Sequence, residues 1–322
     1  MTISVCMIVK NEERNLAGCL ECLKGIADEM IIVDTGSTDN TKEIAMQYTD
    51  KVYDFEWIND FAAARNFAFS KASMDYIYSA DADERMDEEN QAKFLQLKEA
   101  LLPEIEIVQM YYCNQLEHNT IYSFDKEYRP KLYKRVRSFV WQEKIHEAVA
   151  LEPVVYDSDI EIIHKPHDNH AGRDLQIFAK MLQSGETLSK RLQEIYAKEL
   201  FIAGKKEDLE NAEDFFKNIV EETDQEDELK RASCILARLY RLQNKDTEFF
   251  KYALKVTALD GCSEMCYEIG EFYFERGDFA ESYMWYHNAA NETQPLLCLA
   301  YQNELSSGRM EECRKRIHQD IE

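Results

Sequence analysis

The stretch "EMIIVDTGSTDNTKEIAMQY" (residues 29–48) changes grammar twice. Its run "MIIVDT" (30–35) is short, apolar and bounded by turn formers, which reads as a buried strand rather than a core helix. "STDNTKEIAMQY" (37–48) then takes up a helical period, with Ser37 or Thr38 as the N-cap and Asp39 near the positive end of the helix dipole. Those roles leave Asp34 unexplained, since it stands at the strand end ahead of any cap.

The same alternation extends on both sides. "ISVCMIV" (3–9), "KVYDF" (51–55) and "YIYSAD" (76–81) read as strands, spaced by the helical patterns "EERNLAGCLECLKGI" (12–26) and "FAAARNFAFSKA" (61–72). Strand–helix alternation at this spacing implies βαβ units, an α/β fold with a mainly parallel sheet, and a ligand at the carboxyl ends of the strands. "EIVQMYY" (106–112), "RPKLYKR" (129–135) and "DIEIIH" (159–164) are further strands. Past about residue 172 strands give way to helix pairs turning at Gly204, Asn244, Gly277 and Gly308. That spacing is close to the ~34 residues of a tetratricopeptide (TPR) unit. In the third pair, small Gly270 and Ala280 are expected to face large Tyr273 and Tyr286. Phe272, Phe274, Tyr283 and Trp285 complete a solenoid core. Two domains follow, 1–172 and 173–322, the second offering a concave surface for a peptide or protein, or a homodimer contact.

Composition narrows the function. The 322 residues carry a net charge of −24, which argues against nucleic acid as partner but leaves room for a local pocket for a phosphorylated small molecule. No stretch of about 20 apolar residues marks a transmembrane segment. The first residues lack the basic start of a signal peptide. Nine cysteines, an odd number without a framework, imply a reduced, cytoplasmic setting. Cys19 and Cys22 form a CxxC, but one that lies on a helix face.

The chemistry converges on one sheet edge. Asn11, Asp34, Asp39, Asp81 and Asp83 all follow strand ends, and so many carboxylates repel each other unless a cation joins them. An Asp-x-Asp pair suits Mg²⁺ or Mn²⁺, which take oxygen ligands and complete their shell with phosphates. In "DERMDEEN" (83–90), Asp87, Glu88 and Glu89 instead read as the first turn of a helix. Arg129, Lys131, Lys134, Arg135 and Arg137 form a basic run that either meets a diphosphate or lines a charged edge strand. Without further context, His164, His167 and His170 would suggest a metal-dependent hydrolase, although Pro166 breaks any regular helix there.

Five motifs in order, "SVCMIVKNEERNL", "EMIIVDTGSTDNT", "WINDFAAARNFAF", "YSADADE" and "WQEKIHEAV", resemble those of family 2 glycosyltransferases. The likeness is to bacterial members with C-terminal TPR-like helices, including the peptide S-glycosyltransferases of glycosylated bacteriocins. It implies the GT-A fold, a nucleotide-diphospho-sugar donor such as UDP-glucose or another UDP-hexose, inversion at the sugar and a divalent cation. Val9, Asn11 and Glu12 would line the nucleoside pocket, Asp34 would hold the base, and Arg65 would approach the phosphates or base. Asp81 would contact ribose or metal, Asp83 would ligate the metal, and Glu84 would cap or orient their turn. Glu147 would be the catalytic base, beside His146 for phosphate or sugar. The family often has a His at the last strand's end, a further metal or diphosphate contact, followed by Gly-Tyr; "HKPH" departs from this, so only His164 carries over. The acceptor would be a peptide or protein side chain (Cys or Ser) or a cell-envelope saccharide. The competing reading is a TPR adaptor with a non-catalytic nucleotide-binding domain.

Overall fold

Strand β1 (Ile3–Val9) and the later strands β2 (Glu29–Asp34) and β4 (Tyr76–Ala80) are apolar and buried along nearly their whole length, because helices cover both faces. The computed structural model describes residues 1–114, 126–137, 139–149, 153–165 and 171–319. They fall into two compact units, Met1–Asn169 and His170–Glu322.

In the first unit β1 is followed by α1 (Leu16–Leu23), β2, α2 (Thr41–Ala45), β3 (Val52–Asp54), α3 (Phe61–Lys71) and β4. Then come β5 (Glu84–Arg85), α4 (Glu88–Ala100), β6 (Ile107–Asn114), β7 (Lys126–Lys134), β8 (Trp141–Gln142), β9 (Ala148–Val149) and β10 (Val155–His164). Eight strands form one sheet in the order β3-β2-β1-β4-β7-β6-β10-β5, and β8 and β9 make a separate two-stranded ribbon. The first four strands are parallel; β7 runs antiparallel to both neighbours, β10 parallel to β6, and β5 antiparallel to β10. One face is packed by Leu16, Leu20 and Phe94, the other by Ala68 with Phe67. Register places Val9 beside Asp34 and Met7 beside Ala80, so the motif-bearing ends of β1, β2 and β4 are level. Asp34 and Asp81 are two strand spacings apart, roughly 10 Å.

Two local readings change. The short β5 follows Asp83 directly, where a plain turn into α4 was expected; α4 does begin at Asp87, whose carboxylate accepts from Asn90 N at 2.8 Å. Neither Ser37 nor Thr38 caps α2. Asp39 does that work, accepting from the Thr41 backbone N–H at 3.0 Å and its hydroxyl at 2.6 Å.

The second unit contains α5 (Ala171–Gln183), α6 (Lys190–Ala203), α7 (Lys206–Asn211), α8 (Glu213–Glu222), α9 (Glu226–Leu242), α10 (Asp246–Thr257), α11 (Ser263–Phe274), α12 (Phe279–Asn291) and α13 (Glu304–Gln319). Turns fall at Gly204, Asn244 and Gly277, the last two in the left-handed region at φ 55° and 79°. Gly308 does not mark a turn; it lies inside α13, and the chain reverses earlier, around Leu299–Tyr301. Phe272 and Tyr286 are core residues as expected, whereas Ala280 is exposed. Gly270 leaves room for the Tyr286 ring, whose hydroxyl donates to Glu271 at 2.7 Å. Among the described residues no helix is long and apolar enough to cross a membrane. All nine cysteines are free.

Two outcomes test this packing. A Cβ at Gly270 would sit 2.6 Å from a Tyr286 ring carbon, so Gly270→Ala should cost about 1–3 kcal/mol in urea denaturation. A wild-type midpoint would show that the ring yields freely. Glu29 accepts from Lys51 and from the hydroxyls of Ser4 and Ser73. Burial alone would raise its carboxyl, but these bonds outweigh burial and hold it at about 2. A depressed carboxylate stabilises the fold above its unfolded pKa and loses that contribution as pH falls toward the folded value. Glu29→Gln should therefore cost about 2 kcal/mol at pH 7, with the deficit closing between about pH 4 and pH 2. A deficit unchanged with pH would contradict this.

Candidate active site

Asp34 ends β2 and is 5% exposed. Its Oδ2 accepts from the backbone N–H groups of Gly36 (3.1 Å) and Ser37 (3.0 Å), a tight turn that Gly36 permits at φ 97°. Its Oδ1 is buried with no hydrogen-bond partner. Ser37 and Thr38 instead clamp the loop after β1. Ser37 Oγ accepts from Asn11 N at 2.9 Å, and Asn11 Oδ1 accepts from Thr38 N at 2.8 Å. Asn11 itself is left-handed at φ 55°. The Val9 carbonyl accepts both the Thr35 N–H (2.9 Å) and its hydroxyl (3.1 Å). Glu12 N donates to Thr41 Oγ1 at 2.7 Å, and its carboxylate accepts from Asn15. Asp39 also accepts from Glu13 N; although burial alone would raise its carboxyl, these bonds hold it below the ordinary value.

The second cluster surrounds Arg65, on α3, a helix capped by the Asp60 side chain. Its Nε donates to Glu147 Oε1, Nη1 to Ser79 Oγ at 3.0 Å, and Nη2 to Asp81 Oδ1 at 2.9 Å. The guanidinium carbon lies 5.1 Å from the Trp141 ring centre. Burial works against the Arg65 charge, but Asp81 and Glu147 more than offset it. Asp81 is likewise held well below the carboxylate range, Arg65 and Lys131 overcoming its burial.

Below the Asp81-Ala82-Asp83 turn, Glu84 accepts from Asp81 N at 3.2 Å and from Lys131 Nζ at 2.7 and 2.9 Å. Burial raises the Glu84 carboxyl; Lys131 opposes this and Asp81 reinforces it. Asp83 Oδ2 stands 3.0 Å from His164 Nε2, and Asp83 O accepts from Lys165 N at 2.8 Å. An octahedral Mg²⁺-like ion with bonds of about 2.1 Å keeps neighbouring ligands about 3 Å apart, so this donor pair fits one divalent ion. His146 sits in the β8–β9 connection at φ 47°. His167 and His170 lie outside the described residues.

The basic run does not form one patch. Lys131 is buried on Glu84, Arg129 lies 3.9 Å from the Tyr112 ring centre, Lys134 and Arg135 bond backbone carbonyls, and Arg137 pairs with Glu106 at 2.8 Å. Sequence reading missed Ser79, Trp141 and the Glu84–Lys131 pair as parts of this site. A polar Ser in the apolar run "YIYSA" was the available signal for the first; nothing local marked the others.

Residues 4–152 match the family described as "Glycosyl transferase family 2", so the first unit carries a domain of that family. Among curated proteins, a TPR repeat-containing protein of Synechococcus elongatus is 44% identical over 84 residues, 26% of this chain and 21% of that protein. The SPbeta prophage-derived glycosyltransferase SunS of Bacillus subtilis is 35% identical over 102 residues, 31% of this chain and 24% of that protein. The matches thus span a quarter or less of either relative's length. Among solved structures, S. aureus TarS 1–349 is similar with a TM-score of 0.42 at 15% identity, covering 78% of this chain and 89% of that one. Glucosyl-3-phosphoglycerate synthase from Mycobacterium tuberculosis, solved with Mn²⁺, UDP and glucosyl-3-phosphoglycerate, gives 0.41 at 16% identity, covering 58% and 81%.

Lys131→Met removes the cation from a buried pair whose side chains are 6% and 4% exposed, and should cost about 3–5 kcal/mol in urea denaturation. A variant as stable as wild type would show that Glu84 does not need Lys131.

Proposed function

We propose that the first unit is an inverting glycosyltransferase that takes a hexose from a UDP-sugar and passes it to a peptide, protein or cell-envelope saccharide acceptor. The observation that carries this reading is the joining of Glu147 and Asp81 by one guanidinium, which sets a carboxylate base beside a strand-end carboxylate of the donor side. The family match and the name of the SunS relative support the same class.

Asp34 Oδ1 is the natural partner for a base N–H, because a buried acceptor without a donor costs about 1–3 kcal/mol. Uracil presents an N3–H there; cytosine presents an acceptor. Val9, Asn11 and Glu12 line the nucleoside side. Asp81 faces the ribose, His146 stands toward the phosphates and sugar, and Arg65 holds Asp81 and Glu147 in place. Asp83 and His164 would hold Mn²⁺ or Mg²⁺, which when bound offsets charge on the departing diphosphate. Glu147 takes the acceptor's proton as its oxygen or sulfur bonds the anomeric carbon from the face opposite the leaving group. A Cys acceptor asks least of Glu147, since part of a thiol is already thiolate near neutral pH.

A thermal-shift panel of nucleotides with Mn²⁺ tests the donor class, because a ligand that binds only the folded state raises its apparent stability. UDP should raise the melting temperature and CDP should not; the reverse order would sink the uracil assignment. Release of UDP from UDP-glucose should fall about a hundredfold in Asp83→Ala. Equal slow release by both proteins would sink the enzyme reading.

A further inference from the structure

Resting on that reading, we infer that Arg65 and Asn66 are positioning residues that tie the loop bearing Glu147 to the donor-side strand β4. Residues 143–147 connect β8 to β9, and two of them, Glu143 and His146, are held at φ 70° and 47°. Non-glycine residues in that region cost free energy and persist only where the surroundings over-determine them. Here α3 does so at three points. Asn66 Nδ2 donates to the Trp141 carbonyl at 3.0 Å while Asn66 Oδ1 accepts from Trp141 N at 2.8 Å, which pins the start of the ribbon. Phe61 N donates to the Lys144 carbonyl at 2.9 Å, which pins the loop itself. Arg65 then bonds the Glu147 carboxylate with one edge of its fork and Ser79 and Asp81, both at the end of β4, with the other.

Each nitrogen of the guanidinium therefore donates to a partner within the chain. A lysine would keep the charge but could not reach three acceptors in one plane. Arg65 thus acts through Glu147 and Asp81: it sets the distance between the group that receives the acceptor's proton and the strand that faces the donor. Asn66 supports it by fixing the backbone from which Glu147 departs.

The test is UDP release from UDP-glucose with Mn²⁺ and water as acceptor, a displacement in which water oxygen bonds the anomeric carbon, the diphosphate leaves and the proton goes to Glu147. UDP affinity is measured in parallel by calorimetry. Arg65→Lys should lower the saturated rate about a hundredfold while UDP affinity stays within about twofold of wild type. Glu147→Gln should lose as much, and the double variant should lose no more, because both remove one working unit. Guanidinium ion should restore part of the rate to Arg65→Ala. Asn66→Ala should lower the rate without weakening UDP. Loss of UDP affinity in step with rate would make Arg65 a donor ligand and overturn the inference, as would multiplicative losses in the double variant or no rescue by guanidinium. A wild type that binds UDP-glucose and releases no UDP would overturn both this role and the catalytic reading. One that binds no uridine nucleotide would overturn the donor assignment from which both start.

Discussion

Like charges repel, and this sheet edge gathers Asp81, Asp83, Glu84 and Glu147 in a chain already carrying a net charge of −24. Two unit charges 4 Å apart repel by about 4 kcal/mol near a protein surface, so the edge cannot exist without counter-charges. The fold answers these carboxylates with partners drawn from distant parts of the chain. Arg65 pairs with Asp81 and Glu147, Lys131 of β7 pairs with Glu84 of β5, and the His164 ring lies within hydrogen-bond distance of Asp83. The local geometry of the candidate site follows from these pairings. The bend after β4 is the turn whose N–H Glu84 receives, and the loop after β8 is oriented by the arginine that Glu147 receives.

The nucleoside side is organised differently, by backbone rather than by charge. Asn11, Ser37 and Thr38 link the loops after β1 and β2 through reciprocal side-chain bonds, and Asp34 is fixed by one oxygen only. A rigid turn with one acceptor left over is what a site needs if it is to select a donor group without rearranging.

The second unit uses buried charge for packing. Glu268, on α11, is fully buried and pairs with Arg238 and Arg241 of α9. Burial alone would raise its carboxyl, and the two guanidiniums hold it below the ordinary value. Glu264 receives the backbone N–H groups of Leu296, Leu297 and Cys298 and so closes the segment before α13. These bonds explain why the fourth helix pair turns away from Gly308: the chain is tied down a dozen residues earlier.

Residue order alone determined the alternation of strands and helices, the parallel first half and the level strand ends that bring Asp34 and Asp81 to one edge. These follow from local period and burial, which a short window of sequence contains. The small-for-large fit of Gly270 to Tyr286 was legible for the same reason, since both belong to one helix pair. The Ser37 or Thr38 cap was misread because both hydroxyls turn to Asn11, 26 and 27 residues away, Ser37 Oγ accepting from Asn11 N and Thr38 Oγ1 donating to Asn11 Oδ1. Lys131 looked available for a phosphate because its partner Glu84 is 47 residues distant, and Arg65 meets Glu147 across 82. Pairing between distant charges depends on which strands become neighbours and which side chains lose their water. Sheet order and burial settle that, and only the tertiary structure decided it.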